Sequence, residues 1–147
     1  MRNRVLILAS LVALAVMSSA RVAQAQQRIT VNIPFDFVAG NAALPAGEYS
    51  VNVLGQQKSF IRVENKQAAA AILISTNAVI SNVPQSATKL VFNRYGDRYF
   101  LSQVWTEGAQ CGRQLSKSAR EKELALYAKA ETQGQVTLVA ELSATNR

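Results

Sequence analysis

Apolar residues occupy every second position in several stretches of this chain, and this pattern limits its fold more than any other feature. The alternation is clearest at 29–37 and returns at 49–53, 88–105 and 136–142. Successive side chains of a strand point to opposite faces of a sheet, so such alternation is typical of half-buried strands. The apolar members of the first stretch are Ile29, Val31, Ile33, Phe35 and Phe37.

The chain is therefore predicted to be mainly β: an antiparallel β-sandwich or small barrel of about seven or eight strands, with one helix in the C-terminal region. The helix is predicted over 117–131, because Ser118 and Glu121 match a capping box and the stretch is rich in helix formers. Pro34 cannot donate to a sheet ladder, so the first strand is predicted to lie at an edge or carry a bulge.

Two segments of the chain are predicted to be mainly loop. Residues 76–86 contain several turn-forming residues and are expected to be loop around at most one short strand. Residues 106–115 are expected to be loop, since glycines flank Cys111 there.

Residues 1–25 have the three-part pattern of a secretory signal peptide: a basic start, an apolar run at 5–17 and small residues before a cleavage site. The run is shorter than the roughly 20 residues of a transmembrane helix. The predicted cleavage site consists of Ala23, Ala25 and Gln26. We therefore expect an exported protein, periplasmic or extracellular, with no transmembrane segment in its mature part.

The mature part is predicted to be one β-rich domain spanning 26–147. The whole chain carries 16 basic and nine acidic residues, a formal charge of +7. Arg2, Arg4 and Arg21 leave with the signal peptide while every acidic residue stays, so the mature charge is +4. This modest charge lacks the dense basic stripe that nucleic-acid binding needs, and we expect no nucleic-acid partner.

The absence of histidine narrows the chemistry that this chain can perform. It excludes Ser-His-Asp and Cys-His catalytic arrangements and imidazole metal sites. Ser86 and Lys89 match a Ser-x-x-Lys motif, but the motif leads into a predicted strand, where positions three apart face opposite sides. The carboxylates are scattered singly, so no catalytic pair can be named. We predict no enzyme activity, no catalytic residue, no metal and no cofactor.

Cys111 is the single cysteine of the chain, so no intramolecular disulfide can form. An unpaired cysteine in an exported protein can act as a small, partly buried apolar residue. It can also form a disulfide between two chains. Both interpretations stay open, the second implying a homo-oligomer.

The stretch 88–105 predicts a hairpin with a two-residue turn at Gly96 and Asp97. That turn implies the facing pairs Tyr95–Arg98, Arg94–Tyr99, Phe92–Leu101 and Leu90–Gln103. The face predicted to lie in the core carries Leu90, Phe92, Tyr99, Leu101 and Trp105.

The opposite face of this hairpin mixes apolar and polar residues. Such a face is either half-covered by the predicted helix or lines a partly polar cavity. Arg–Tyr pairs near the turn stabilise the hairpin or form a binding lip that stacks on a ligand. The predicted ligand-binding residues on the mixed face are Val91, Asn93, Tyr95, Arg98, Phe100 and Val104.

Three segments carry a resemblance to a known group of proteins. Residues 35–51 (FDFVAGNAALPAGEYSV), 90–108 (LVFNRYGDRYFLSQVWTEG) and 112–125 (GRQLSKSAREKELA) resemble an uncharacterised family of small exported proteins abundant in soil bacteria of the acidobacterial type. That family has no assigned function and no established catalytic or binding residues. The resemblance therefore implies export and a β-rich fold and transfers no site.

These observations favour a non-catalytic exported module of the cell envelope that binds a small, partly apolar ligand or another envelope component. The alternative is a structural or self-associating protein that uses an edge strand marked by Pro34 or a crosslink through Cys111. An exported hydrolase that works without histidine is the third hypothesis.

Overall fold

A computed structural model of the 147-residue chain describes residues 27–55, 59–128 and 132–144. The predicted signal peptide and its cleavage site lie outside these ranges. Within them, no helix combines the length and the apolar character that a membrane span requires.

The described residues form eleven strands and one helix. The strands are β1 (Gln27–Ile33), β2 (Phe37–Ala39), β3 (Ala42–Leu44), β4 (Gly47–Leu54), β5 (Phe60–Asn65), β6 (Ala71–Ile80), β7 (Lys89–Tyr95), β8 (Arg98–Trp105), β9 (Cys111–Leu115), β10 (Gln133–Val139) and β11 (Glu141–Ala144), and the helix is α1 (Ala119–Tyr127). The predicted mainly β fold with one helix in the C-terminal region is confirmed.

Nine strands pair side by side in the order β10-β7-β8-β9-β6-β5-β4-β1-β11. These pairs are antiparallel, whereas β2 lies parallel to β8 and also pairs with β3. We call β11, β1, β4, β5 and the start of β6 the β1 half of the sheet. The β7 half consists of the end of β6 with β9, β8, β7, β10, β2 and β3.

Two stretches of chain pass from one half to the other. Residues 71–75 of β6 pair with β5, and residues 76–80 pair with β9. Only Ala140 separates β10, which pairs with β7, from β11, which pairs with β1. β10 and β11, which are the two ends of the strand order, are therefore consecutive in the chain.

The inner faces of both halves share a single apolar core. The Phe37 ring meets Tyr49 of the β1 half at 5.1 Å between centroids and Phe92 of the β7 half at 5.5 Å. Burial of each large apolar side chain contributes about 1.5–3 kcal/mol. The buried core residues are Ile29, Val31, Ile33, Phe37, Ala39, Tyr49, Val51, Ile61, Val63, Leu90, Phe92, Leu101, Val104 and Leu115.

The predicted position of the first strand at an edge is wrong. β1 ends at Ile33, directly before Pro34, and it lies between β4 and β11. The proline therefore ends the strand without removing a ladder donor from its interior. The Asp36 carboxylate accepts the Ala46 N–H at 2.8 Å and connects the segment after the proline to the start of β4.

The predictions of loop at 76–86 and 106–115 are also partly wrong. β6 continues to Ile80, and β9 occupies 111–115. These segments pair with each other, for example Thr76 with Leu115 and Ile80 with Cys111. Backbone pairing with distant strands, which local composition does not report, makes them extended.

The helix is shorter than the predicted 117–131 but begins as predicted. The Ser118 hydroxyl accepts the Glu121 N–H at 3.2 Å, so Ser118 is the N-cap of α1. Gln133 of β10 donates from its side-chain nitrogen to the carbonyls of Ala125 and Ala128, both at 3.1 Å. These bonds satisfy carbonyls that a helix end leaves without partners.

Candidate functional site

The β7–β8 hairpin follows the predicted register near its turn and departs from it further on. Tyr95–Arg98, Arg94–Tyr99 and Phe92–Leu101 are facing pairs, which confirms those predictions. Val91 then faces Gln103, and Leu90 faces Val104. The predicted Leu90–Gln103 pair is wrong because a bulge on β8 leaves Ser102 as an extra residue.

The bulge exchanges the faces of the residues that follow it. A shift of one residue moves a side chain to the other side of a sheet. Val104 therefore lies in the core, only 2% exposed, and Trp105 is outside the core cluster. The predictions that Val104 belongs to the mixed outer face and Trp105 to the core face are both wrong.

The other predicted ligand-binding residues do share the outer face of the hairpin. Val91, Tyr95 and Phe100 are buried there, and the Tyr95 and Phe100 rings meet edge to face at 5.8 Å between centroids. Asn93 is half-buried, whereas Arg98 is exposed beside the turn. We call this surface, made by Val91, Asn93, Tyr95 and Phe100, the hairpin outer face.

Helix α1 is attached to the hairpin outer face by a buried carboxylate. Glu121 is 5% exposed and is the buried residue of the helix. One carboxylate oxygen, Oε1, accepts the Asn93 side-chain amide at 2.8 Å and the Tyr95 hydroxyl at 3.4 Å. A buried carboxylate is costly without such partners, so these bonds hold the first turn of α1 against the sheet.

The role of Glu121 was missed by sequence reasoning. In a capping box the side chain of the third helical residue reaches back to the backbone of the N-cap. Here the Glu121 N–H makes the expected bond to Ser118, but the carboxylate points to the hairpin. No local signal distinguishes the two arrangements, because Asn93 lies 28 residues earlier in the chain.

Trp105 occupies the outer side of β8 beyond the bulge. Its Nε1 donates to the Gln103 side-chain oxygen at 2.9 Å. Its ring lies over Gly112 of β9 so closely that a Cβ atom at Gly112 would be 2.6 Å from two ring carbons. The absence of a side chain at Gly112 is therefore what allows the indole to pack there.

The Arg–Tyr pairs next to the turn have other partners as well. The Tyr99 ring stacks on Phe35 with 4.0 Å between centroids. Arg94 donates from Nε to the Gly96 carbonyl at 2.9 Å. The arrangement of these two residues fits stabilisation of the hairpin.

Cys111 lies at the other end of the β7 half with its thiol free and exposed. Its register partner on β6 is Ile80, which is 79% exposed, and Val83 just beyond is 65% exposed. Arg113 approaches the Cys111 sulfur with one guanidinium nitrogen at 3.6 Å. The thiol thus lies beside apolar side chains that solvent can reach.

The described residues bring together no cluster of metal ligands. Within 27–55, 59–128 and 132–144, no three His, Cys, Asp or Glu side chains form a group that could hold a metal ion. Ser86 is exposed and precedes β7, whose first residue is Lys89. The Ser-x-x-Lys motif therefore does not lie on one face of a helix, as its acyl-transfer chemistry requires.

Comparison with known proteins adds no relative: no family model, no curated protein and no solved structure matches this chain.

Proposed function

We propose that this chain is a non-catalytic binding module of the cell envelope, exported to the periplasm or the cell surface. Its ligand is small and partly apolar, or an apolar segment of another envelope component. The ligand contacts the hairpin outer face, where it takes the place of α1. The observation that carries this proposal is that the single buried residue of α1, Glu121, attaches it to the hairpin outer face, while the exposed Gln133 side chain holds its other end.

The helix has the properties of an element that leaves its site readily. It has nine residues, fewer than the roughly 12–15 at which an isolated helix is marginally stable in water. Its Leu126 and Tyr127 are 83% and 79% exposed, so they contribute little burial to docking. Removal of α1 would uncover an aromatic and aliphatic surface with the Asn93 amide and Tyr95 hydroxyl at its centre. Apolar walls with a few placed polar groups are typical of small-molecule sites.

The test compares Glu121→Ala with Glu123→Ala, a neighbouring exposed carboxylate on the same helix. The probe is the uncharged dye N-phenyl-1-naphthylamine, and the second readout is the fluorescence of Trp105, the single tryptophan. Because α1 competes with the ligand, Glu121→Ala is expected to raise dye affinity about fivefold or more, while Glu123→Ala leaves it unchanged. Equal affinity in both variants would contradict the proposal.

A second measurement examines the natural ligand and export together. Native mass spectrometry of protein recovered from its source envelope is expected to show an added small mass on a chain that starts at Gln26. Protein that carries no added mass and still contains residues 1–25 would count against both parts of the proposal.

Self-association is the second candidate, favoured by the exposed thiol of Cys111 beside Ile80. A second copy could cover both, with a disulfide between the two Cys111 residues. Non-reducing electrophoresis and sedimentation are expected to show a dimer that Cys111→Ser and Ile80→Ser weaken and that Leu126→Ser leaves intact. A wholly monomeric protein under oxidising conditions excludes this function.

A further inference from the structure

The outer face of the β1 half places two arginines on either side of one asparagine. Arg28 of β1 faces Asn52 of β4, and Asn52 faces Arg62 of β5. Partners in an antiparallel register point to the same side of a sheet, so these three side chains form one row. Neighbouring strands are about 4.8 Å apart, which puts the two arginine backbones about 10 Å from each other.

An apolar row follows the arginine row two residues further along β4. Leu54 faces Phe60, which is 42% exposed, and Leu73 of β6 lies beside Arg62 and is 62% exposed. Two residues along a strand correspond to about 7 Å. The face therefore offers cationic donors and an apolar surface at a separation that a short amphiphile can bridge.

The polar centre of this face contains an unsatisfied group. Ser50 is 2% exposed, and its hydroxyl has no hydrogen-bond partner among the residues that the structure describes. It lies between Thr30 and Glu64 on the same face as Asn52, which is itself 9% exposed. Buried polar atoms in native proteins nearly always have partners, so an unpartnered hydroxyl on the face that carries both arginines is consistent with a ligand or a water bound at this face.

The carboxylates of this face lie beyond the arginine row, on the side away from the apolar row, and Glu64 and Glu141 are in the row next to it. Glu48 pairs with Lys66 at 2.6 Å, and Glu141 faces Thr30. Glu64 approaches Arg62 at 3.6 Å, whereas Arg28 on the same face makes no ion pair with another described residue. A broad anionic surface such as a membrane would cover the whole face and meet all of these carboxylates, whereas one small anion over Asn52 would have Arg28 and Arg62 on either side of it.

From this juxtaposition we infer that the outer face of the β1 half binds a free, single-chain anionic amphiphile. The anionic head lies over Asn52 between Arg28 and Arg62, and the chain lies across Leu54 and Phe60. Guanidinium groups recognise carboxylate and phosphate oxygens through paired donors. The inference is independent of the proposed function, because it uses the opposite half of the sheet.

The test titrates the protein with decanoate below its micelle-forming concentration by calorimetry. Acetate carries the head alone and decyl glucoside carries a similar chain without charge. Decanoate is expected to bind at least about tenfold more tightly than either, since only it engages both rows. Equal binding of decyl glucoside and decanoate would overturn the inference, and so would binding to anionic phosphatidylglycerol vesicles without binding to decanoate.

Matched variants locate the site. Arg62→Gln is expected to weaken decanoate about tenfold and Phe60→Ser about fivefold, while Lys66→Gln, a cation at the far end of the same face, stays within about twofold. Unchanged thermal unfolding midpoints verify that each variant is folded. If Arg62→Gln leaves decanoate affinity unchanged while Glu121→Ala alters it, decanoate occupies the hairpin outer face and this inference is wrong.

Discussion

The outer faces of the two sheet halves differ in whether their buried polar groups have hydrogen-bond partners. On the hairpin outer face, Asn93 and Tyr95 donate to Glu121, and a helix lies over them. On the outer face of the β1 half, Ser50 is buried as well, yet its hydroxyl finds no partner within the described part of the chain. Matched polar groups hold an element of the protein's own chain in place, whereas the unmatched hydroxyl lies on the face where we propose that a ligand binds.

The largest loss of stability is expected from a substitution at Gly112, because it would disrupt the packing of the Trp105 ring on the outer side of β8. Gly112→Ala places a Cβ 2.6 Å from the Trp105 ring and should destabilise the protein by about 2–3 kcal/mol in urea unfolding. Gly134→Ala, which meets no atom within 4 Å, is the control and should change stability by about 0.5 kcal/mol or less. Similar losses in both variants would refute the assigned contact.

Removal of the carboxylate that attaches α1 tests the matched face directly. Glu121→Ala leaves the Asn93 amide and Tyr95 hydroxyl without their acceptor and should cost about 1–2 kcal/mol. Glu123→Ala, at an exposed position of the same helix, should stay within about 0.5 kcal/mol. Chemical denaturation measures the stability of both variants. A Glu121→Ala variant as stable as Glu123→Ala would show that the contact of Glu121 with Asn93 and Tyr95 does not stabilise the protein.

Tyr49 precedes Ser50 in β4 and lies on the inner side of the sheet, where its hydroxyl has hydrogen-bond partners. It donates to the Pro45 carbonyl at 2.7 Å and accepts from Asn65 at 3.1 Å. Tyr49→Phe should therefore cost about 1 kcal/mol at neutral pH.

The same residue should make stability depend on pH. Burial raises the pKa of Tyr49 above 10.0, more than the Asn65 hydrogen bond lowers it, and Asp36 raises it further. The folded state then keeps its proton when the unfolded state loses it, so the contribution of Tyr49 is complete below pH 10 and declines as pH rises above 10. The free energy of unfolding, measured at pH values from about 9 to 11, should decline more steeply for the natural protein than for Tyr49→Phe. Parallel declines would contradict this prediction.

The smallest effect is expected at Ser50. Ser50→Ala removes an unpartnered buried hydroxyl and should leave stability unchanged or raise it by up to about 0.5 kcal/mol. Thr88→Val is the matched comparison, because the Thr88 hydroxyl accepts the Glu107 N–H at 3.1 Å and its loss should cost about 1 kcal/mol. A clear loss of stability in Ser50→Ala would mean that this hydroxyl is satisfied and would remove the contrast between the two faces.

Local patterns predicted the structure well wherever neighbours in sequence decide it. The turn at Gly96 and Asp97 determines the pairs up to Phe92–Leu101, and the cap at Ser118 determines the start of α1. The prediction failed at Ser102, because a bulge depends on what the two faces of β8 must pack against. One such residue moved Val104 out of the candidate site and Trp105 into the outer layer.

The hairpin part of the candidate site could be named in advance for the same reason. Val91, Asn93, Tyr95 and Phe100 lie on the turn side of the bulge or opposite it, where the hairpin period holds. Glu121 could not be named as their partner, because only the folded chain brings it to Asn93.

The sequence by itself determined the secondary-structure class, the main hairpin, the helix start and the exclusion of histidine chemistry, since these depend on residue type and on spacing within a few residues. The tertiary structure alone decided that β6 and the β10–β11 stretch join the two halves, that Glu121 faces Asn93, and that Arg28, Asn52 and Arg62 form one row. Each of these depends on the pairing of strands distant in the chain, where backbone hydrogen bonds and burial of a shared core select the partner.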